Sequence, residues 1–513
     1  MRQFLSKRLS SLESHLAQEN PALLEVLPTY YKLDKILYKL GLLERESSLA
    51  TKISWWPLVA VLGTFSSGKS TFINAYIGEK IQDTGNQAVD DKFTVITYRS
   101  AATAGNHTLP GSALDADPRF PFYRISGEIE KVAKGEGKRI ESYLQLRTSH
   151  SPKLKSKIII DSPGFDADDQ RRSTLRITDH IIDLSDLVLV FFDARHPEPG
   201  AMQDTLQHLV KRTVERADTS KFCYVLNQID TAAREDNPEE VFGAWQRSIA
   251  QAGLASGKFF TIYNEEAAAP IEDEALRARF RARRDHDLAQ ITKRMDEVEI
   301  QRNYRVVGVL ENVANELEHD VLPRLSEAKR TWRRNVLIGD AVVLGALLAA
   351  LIALWLKMGW SLPEGLFSLE GFIAHRWDIL ISAIGAAVVI GATHAWTRGL
   401  VRKRLARKLP EAEGPAELNL RAGFLRTTSW RGSVFSPQPV GWSKRTAKRL
   451  QAIRDTVATH IQSLNDRYAD PSGKGDIAPE AAPAAERAHG ETQDEPSPVT
   501  SETATPEEAR KDA

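Results

Sequence analysis

The segment that decides the fold reads Gly63-Thr64-Phe65-Ser66-Ser67-Gly68-Lys69-Ser70-Thr71. It fits the phosphate-binding loop pattern G-x-x-x-x-G-K-[ST], which requires a strand before it and a helix after it. The apolar run 58–62 is typical of a buried parallel strand, and residues 71–77 are typical of the start of a helix. Because glycines let the backbone curl, successive N–H groups can converge on phosphate oxygens at the positive end of that helix. The segment therefore predicts a nucleoside triphosphate site.

Two side chains of this loop carry predicted roles of their own. Lys69 would reach the β- and γ-phosphates, and the Ser70 hydroxyl would be a ligand of Mg²⁺. The loop residues predicted to contact the nucleotide are Gly63, Ser66, Ser67, Gly68, Lys69, Ser70 and Thr71.

A second apolar strand ends in the pattern D-x-P-G, at Asp161-Ser162-Pro163-Gly164. Asp161 would hold Mg²⁺ through water, and the Gly164 N–H could point at the γ-phosphate and sense its presence. The same four residues alone could form an ordinary turn. Their position after an isoleucine-rich strand favours the metal and phosphate role.

A third strand, 222–226, leads into Asn227-Gln228-Ile229-Asp230, an N-Q-x-D pattern. A carboxylate at Asp230 can accept both the ring N–H and the exocyclic amino group of guanine, a bidentate pattern that adenine does not offer. The usual form is N-K-x-D, and Gln228 replaces the lysine that packs along the base. We predict GTP as substrate, with Asn227 and Asp230 at the base, and keep ATP as the alternative.

At these three sites the chain resembles the dynamin superfamily of large GTPases. In that family the serine at the Ser66 position helps to stabilise charge between the β- and γ-phosphates. The segments 90–96, 109–114, 117–118 and 121–122 look like the GTPase domain of the Eps-homology-domain (EHD) ATPases. The resemblance covers roughly residues 55–265. It implies an α/β fold, a P-loop GTPase domain with a doubly wound and mostly parallel sheet, together with nucleotide-driven self-assembly and work on membranes.

The chain departs from the family at the switch threonine, which ligates Mg²⁺ and positions water. That position falls near Val89 and Asp90, where no threonine stands. Asp90 could serve as the oxygen donor, and Thr94 is the alternative. The predicted catalytic residues are therefore Ser66, Lys69 and Asp90. EHD proteins use ATP despite a similar base motif, so this resemblance leaves both GTP and ATP as candidate nucleotides.

Two apolar segments, Val336–Leu356 and Ile379–Trp396, follow the GTPase region. As helices they would span about 31 and 27 Å, close to the hydrocarbon core of about 30 Å. Basic residues precede the first and follow the second, which predicts that both ends lie in the cytoplasm. The alternative is a pair of buried core helices. Asp340 and His394 lie near the cytoplasmic ends of their segments and are predicted to snorkel to the interface, with a proton relay as the alternative. A ridge on each segment predicts one face of a hairpin; its small residues are Ala341, Gly345, Ala349, Ala353, Ala383, Ala387, Gly391 and Ala395.

Six segments are predicted along the 513 residues. They are an N-terminal helical segment 1–54, a dynamin-type GTPase domain 55–268, a helical stalk 269–334, a transmembrane hairpin 335–397, a basic juxtamembrane and C-terminal helical segment 398–469, and a disordered tail 470–513. The stalk is what the resemblance implies for the helices around the GTPase domain, and an independent helical bundle is the alternative. The arginine run 277–284 is predicted to be a solvated helix surface rather than a lipid-headgroup patch.

The amino-acid composition limits which binding partners and which cellular location are expected. The formal net charge is zero, which argues against nucleic acid, and the single cysteine, Cys223, excludes a disulfide framework within the chain. The predicted partners are a lipid bilayer and other copies of the chain, through the GTPase domain and the stalk. We expect an integral membrane protein with cytoplasmic soluble domains, in a bacterial cytoplasmic membrane.

Three functions fit these features. A mechanochemical GTPase that bends, tethers or fuses membranes is favoured. A slow or inactive nucleotide-dependent scaffold is the second, because the switch threonine is missing. A nucleotide-gated channel is disfavoured, since two spans with almost no polar residues offer no pathway.

Overall fold

A computed structural model describes the chain in several stretches. They are residues 2–84, 92–100, 107–120, 122, 125, 130, 141–164, 171–195, 219–234, 238–251, 257–359, 376–412, 416–429, 432, 436 and 438–469. Asp90 of the predicted catalytic set and the predicted tail 470–513 lie outside the described residues.

An eight-stranded mixed sheet forms the centre of the described part of residues 58–261. Its strands are β1 (Leu58–Gly63), β2 (Phe93–Tyr98), β3 (His107–Pro110), β4 (Leu144–Ser149), β5 (Ile158–Asp161), β6 (Leu187–Asp193), β7 (Phe222–Asn227) and β8 (Lys258–Thr261). The order across the sheet is β3-β4-β2-β5-β1-β6-β7-β8. Only β2–β5 and β3–β4 pair antiparallel, which confirms the predicted α/β fold with a mostly parallel sheet.

The central strands are buried along their whole length, because helices cover both faces of the sheet. This explains why they read as continuous apolar runs rather than as alternating patterns. β1, β5, β6, β7 and β8 run parallel, so their carboxyl ends meet at one edge of the sheet. Ligands of open α/β sheets bind at that edge.

Eleven α-helices lie within the described residues. They are α1 (Arg2–Glu19), α2 (Pro21–Leu24), α3 (Leu27–Leu40), α4 (Lys69–Ile77), α5 (Arg171–Leu184), α6 (Pro238–Gln251), α7 (Glu274–Glu316), α8 (Leu322–Met358), α9 (Arg376–Ala406), α10 (Leu420–Thr427) and α11 (Lys444–Tyr468). The ends follow local chemistry. Asp273 caps α7 by accepting from the N–H groups of Ala275 and Leu276, and Gly41 ends α3 in a left-handed conformation.

The longest element joins α7 to α8 through a π-helical turn, Leu317–Val321. Pro323 lies in the first turn of α8 and has no N–H to donate to the preceding turn. A wider turn at this place lets the helix continue past the proline. The result is one helix from Glu274 to Met358 that connects the α/β region to an apolar segment.

A long helical stalk region forms where α3 and α11 pack against α7. Val306, Leu310 and Val313 of α7 are buried, as are Leu450, Ile453 and Val457 of α11. Three hydrogen bonds fix the register at one end. Asn20 Nδ2 donates to Asn303 Oδ1 at 3.0 Å, Asn303 Nδ2 donates to Tyr468 Oη at 2.7 Å, and Tyr30 Oη donates to the Val306 carbonyl. The apolar stripes predicted from the sequence therefore bury one another.

The two apolar helices stand clear of the rest of the protein. Of the apolar window in each, 6% is buried, and both are long and apolar enough to cross a membrane. Large apolar side chains such as Leu351, Ile381 and Val388 are mostly exposed. The alternative of buried core helices is therefore wrong for this structure.

The helices α8 and α9 meet only near the soluble region, among the described residues. His394 Nδ1 lies 2.7 Å from Asp340 Oδ2, and the Thr397 hydroxyl donates to the same carboxylate. Asp340 and His394 thus contact each other at the end of the two apolar helices that is nearest the soluble region. All the predicted ridge residues are exposed, and a Cβ at Gly345 or Gly391 would meet no heavy atom within 4 Å. The predicted hairpin face is wrong here, because the two helices separate beyond this contact.

Cys223 lies inside β7, fully buried, where burial raises the pKa of its thiol to about 11. The reactive thiolate is therefore scarce at mildly alkaline pH. We expect no reaction of the native protein with a chromogenic disulfide reagent, and one thiol per chain after unfolding in guanidinium chloride. Rapid labelling of the native protein would contradict this placement of β7.

Candidate functional site

The phosphate-binding loop connects β1 to α4 at the carboxyl edge of the sheet. Gly68 has φ +83°, and a Cβ there would lie 2.2 Å from Asn227 Nδ2, so only glycine fits. Ser66 has φ +57°, a conformation that is uncommon for a residue with a side chain. Its carbonyl accepts a hydrogen bond from Gln228 Nε2 at 2.7 Å, which holds the loop in this shape.

Lys69 lies beneath this loop and is 7% exposed. Its Nζ donates to the carbonyl oxygens of Gly63 at 3.1 Å and of Thr64 at 2.9 Å. Burial lowers the pKa of the ammonium group, and the Asp161 carboxylate opposes that effect. Lys69 lines a cavity, so its positive charge is available to an anion bound there.

The predicted metal ligands lie next to each other. The Ser70 hydroxyl donates to Asp161 Oδ2 at 3.1 Å, and Gln82 Nε2 donates to the same oxygen at 2.7 Å. The Ser162 hydroxyl is 5% exposed, lines the cavity, and has no hydrogen-bond partner among the described residues. A hydroxyl and a carboxylate are the oxygen donors that Mg²⁺ prefers, and this ion usually completes its shell with water and phosphate. The donor set therefore fits Mg²⁺.

Metal sites of other kinds do not appear in the described part of the chain. It holds no group of three or more His, Cys, Asp or Glu side chains that could bind a metal ion.

Gly164 brings the D-x-P-G segment against the phosphate-binding loop. A Cβ on Gly164 would lie 2.9 Å from the Cα of Phe65, so the two loops can approach this closely only with glycine there. Gly164 lines the same cavity as Ser66 and Lys69.

The N-Q-x-D segment closes the other end of the cavity. Asn227 Nδ2 donates to the Ser67 carbonyl at 2.9 Å, which ties the end of β7 to the phosphate-binding loop. Gln228, with φ +63°, reaches the Ser66 carbonyl, so it braces the loop where the family has a lysine. Asp230 is 5% exposed, and its Oδ2 accepts a hydrogen bond from the Ala269 N–H at 2.7 Å.

One cavity of about 550 Å³ joins these groups, a volume typical of small-molecule sites. Predicted residues that line it are Ser66, Gly68, Lys69, Ser70, Thr71, Asp161, Gly164, Asn227 and Asp230. Gly63 and Ser67 do not line it, and each instead offers a carbonyl to a side chain that does. Thr94 is buried in β2, its hydroxyl accepts from Gln145 Nε2 at 2.8 Å, and it does not line the cavity.

A loop that sequence reasoning missed forms the base end of the cavity. It follows β8 and runs over Asn264–Ala269, which we call the base loop, and Asn264, Ala267, Ala268 and Ala269 line the cavity. The sequence indicated this loop only through the apolar end of β8, which lies at the same edge of the sheet as the end of β7. Arg195 was also missed. Its side chain lines the cavity and binds Asp193, whose hydrogen bond raises the pKa of the guanidinium.

The arginine run at the start of α7 forms hydrogen bonds and ion pairs with the end of β8 and with the residues that follow it. Arg277 Nη2 donates to the Ile271 carbonyl at 2.6 Å, and Arg283 Nε donates to Thr261 Oγ1 at 2.8 Å. Arg281 and Arg284 both bind the Glu265 carboxylate of the base loop. These hydrogen bonds, Arg284 first, lower the pKa of Glu265. Four of the five arginines of the run are exposed, as predicted for a solvated helix surface, while Arg284 is buried.

Comparison with known proteins accounts for this arrangement. Residues 59–229 match the model of the Dynamin family. This part of the chain is a dynamin-type GTPase domain. The match extends from β1 to the N-Q-x-D segment, so it includes the phosphate-binding loop and the D-x-P-G segment of the same cavity. No curated protein matches the chain.

Solved structures give weaker likenesses to this chain. A structure of an oligomerised bacterial dynamin pair, described as sensing and tethering membranes over a long range, is 13% identical, with 93% of this chain and 80% of that chain covered and a TM-score of 0.31. Era in complex with MgGDPNP and a fragment of 16S ribosomal RNA is 14% identical, with 44% and 56% covered and a TM-score of 0.25.

Proposed function

We propose that this chain is a membrane-anchored, dynamin-like GTPase that hydrolyses GTP with Mg²⁺ to remodel, tether or fuse membranes. The observation that carries the proposal is the single cavity that brings Lys69, Asp161 and Asp230 together at the carboxyl edge of the sheet. These three residues come from widely separated parts of the chain, and each has the chemistry that one part of a nucleotide needs.

Different residues along the cavity would bind different parts of the nucleotide. Lys69 and the N–H groups of the loop would bind the β- and γ-phosphates, and Ser66 would stabilise the charge between them. Ser70 and Asp161 would hold Mg²⁺, which supplies charge neutralisation on the phosphate oxygens when bound. Asp230 would accept from the guanine edge, with Asn227 holding the strand end in place. We assign Asp90 to the switch position because an oxygen donor is needed there.

The exposed apolar helices support an anchor in the bilayer. Outside water-excluding surroundings, so much exposed apolar surface is unfavourable, and monomeric soluble proteins rarely show it. Exposed cations flank both helices on the side of the stalk region; they are Arg330, Arg333, Arg334, Lys403, Arg404, Arg407 and Lys408. This distribution supports cytoplasmic soluble domains and an integral protein of a bacterial cytoplasmic membrane.

The predicted segments are part of the proposal. The GTPase domain would span 55–268, the stalk 269–334 and the membrane segment 335–397, with 398–469 returning to the stalk and 470–513 as the tail. Self-association would use the GTPase domain and the stalk, and no nucleic acid is involved. The continuous helix through α7 and α8 supports a mechanical connection, since a helix transmits displacement along its axis.

Membrane anchoring and hydrolysis can be tested in one preparation. The full chain, reconstituted into vesicles of phosphatidylethanolamine and phosphatidylglycerol, is expected to stay with the lipid in alkaline carbonate and to hydrolyse GTP. Lys69→Ala is the matched control, which should stay with the lipid equally well but not hydrolyse GTP. Release of the chain by carbonate would contradict the anchor, and wild-type hydrolysis at the control rate would contradict the GTPase.

A second candidate is an ATP-binding or weakly hydrolysing membrane scaffold of the EHD kind. Gln228 in place of the usual lysine and the absence of a switch threonine near Asp90 favour it. Calorimetric titration of the purified chain with GTP and with ATP, each with Mg²⁺, distinguishes the two. Tighter binding of ATP, with little hydrolysis on vesicles, would replace the first proposal by the second.

A further inference from the structure

The base loop, Asn264–Ala269, has little hydrophobic anchorage of its own, since Ala268 is its one residue that packs, partly buried, against the described hydrophobic core. Three alanines make up half of it, and none of its residues is buried. Within the loop, Asn264 Oδ1 accepts from the Glu266 N–H, which forms one tight turn. The Ala269 N–H then reaches Asp230, so the position of this loop decides how the guanine-binding carboxylate is held. Something outside the loop must therefore fix it.

The helix α7 provides that support through Glu265. Arg284 Nη1 donates to Glu265 Oε2 at 2.8 Å, and Arg281 Nη2 donates to Oε1, so both carboxylate oxygens are engaged. Arg284 is itself held in place. Its Nε and Nη2 donate to Asp285 Oδ1 at 2.9 and 2.6 Å, and its guanidinium lies 5.0 Å from the centre of the Tyr263 ring.

The same helix grips β8 just before the loop. The N–H of Thr261 donates to Asp287 Oδ2 at 2.7 Å, and the Thr261 hydroxyl donates to the same oxygen. Arg283 donates to that hydroxyl from the other side and stacks 4.4 Å from the Phe242 ring. These contacts attach Thr261 and Glu265 to about two turns of α7.

We propose that α7 positions the base end of the nucleotide site through the Glu265–Arg281–Arg284 cluster, so that attachment of the stalk helix sets nucleotide affinity. Glu265, Arg281 and Arg284 are positioning residues, because none of them lines the cavity. Pulling the first turns of α7 away would release the base loop and weaken the hold on Asp230. Strain on the stalk would thereby speed nucleotide exchange. The inference rests on the proposed function, since it requires a nucleotide in the cavity.

The experiment compares a nucleotide with a ligand that lacks a base. GTP and inorganic tripolyphosphate, each with Mg²⁺, are titrated calorimetrically into the full chain in detergent. Glu265→Ala and Arg284→Ala are each expected to raise the Kd for GTP about tenfold and to leave that for tripolyphosphate unchanged, since the phosphate-binding loop is not touched. The Kd of the double variant for GTP should be no higher than that of either single variant, because both substitutions remove the same contact.

Two neighbours serve as matched controls. Glu266 is the adjacent acid of the base loop, with its carboxylate unpaired among the described residues, and Arg279 pairs with Glu239 instead of the loop. Glu266→Ala and Arg279→Ala should bind GTP as the wild type does. If Glu265→Ala lost affinity for GTP and for tripolyphosphate equally, or lost affinity for neither, the inference would be overturned. A wild-type chain that binds tripolyphosphate but neither GTP nor ATP would overturn the proposed function as well.

A second readout follows from reciprocity, because coupled sites affect each other equally. In the wild type, GTP should slow amide hydrogen exchange across residues 277–288 of α7. In Glu265→Ala, at saturating GTP, that slowing should be lost or much reduced. An unchanged response in the variant would mean that the cluster holds the loop without coupling it to the stalk, which would also overturn the inference.

Discussion

Replacing Lys69 by alanine is expected to abolish measurable nucleotide binding. Lys69 is buried beneath the phosphate-binding loop, and among the described residues its ammonium group donates hydrogen bonds to the carbonyls of Gly63 and Thr64. Those carbonyl contacts neutralise no charge, whereas triphosphate oxygens would. A charge-assisted hydrogen bond contributes about 1.5–3 kcal/mol, and this residue would serve two phosphates. Affinity should therefore fall by a factor of about 100 or more, as measured by calorimetry with GTP and Mg²⁺.

Lys80→Ala is the control for this change. Lys80 is exposed after the end of α4 and does not line the cavity, so the variant loses the same charge without losing the proposed contact. It should bind GTP as the wild type does. Micromolar binding retained in Lys69→Ala would overturn the assignment of the phosphate-binding loop.

Replacing Asp230 by asparagine is expected to change which nucleotide binds. Asp230 offers acceptors only, and guanine presents two donors on one edge. With asparagine, the amide oxygen can keep the hydrogen bond from the Ala269 N–H, which leaves the NH₂ group facing the donors of guanine. GTP should then bind about 100-fold more weakly, while ATP changes by no more than about threefold, because a mispaired buried donor costs more than an absent contact.

Xanthosine triphosphate makes the test of Asp230→Asn sharper. Xanthine carries a carbonyl where guanine carries its amino group, so the new NH₂ group has an acceptor to face. The variant should bind xanthosine triphosphate better than the wild type does. If Asp230→Asn weakened the binding of GTP and ATP equally, or weakened neither, base recognition would not depend on this carboxylate. That result would favour the ATP-using alternative.

Much of the fold could be predicted because its strongest signals are local. The strands β1, β5 and β7 are buried on both faces, so they appear in the sequence as unbroken apolar runs. The phosphate-binding loop, D-x-P-G and N-Q-x-D follow these runs directly. Parallel strands place their carboxyl ends at one edge, so the meeting of the three motifs followed from their order in the chain.

The base loop could not be found in this way. Its contribution is mainly a backbone N–H, from Ala269, and any residue other than proline supplies that group. The contacts of the arginine run were missed for a related reason. Most of the run is exposed, as clustered charge predicts, but nothing local indicates that Glu265 and Thr261, from another element, lie within reach of Arg284 and Arg283.

The ridges of small residues on α8 and α9 show the same limit in the apolar part of the chain. Small residues permit close packing, yet they do not require it. In this structure the contact between the two helices comes from Asp340, His394 and Thr397, and the ridges beyond them are exposed.

The amino-acid sequence alone is enough to predict the α/β fold, the three motifs that line the cavity and the two apolar helices. Each depends on periodicity or on short-range chemistry, which the order of residues encodes directly. Three features become visible only in the folded protein: the stalk helix holds the base loop, Gln228 braces the phosphate-binding loop, and the apolar helices separate. These features depend on contacts between residues far apart in the chain, and their geometry exists only once the sheet and its helices have packed.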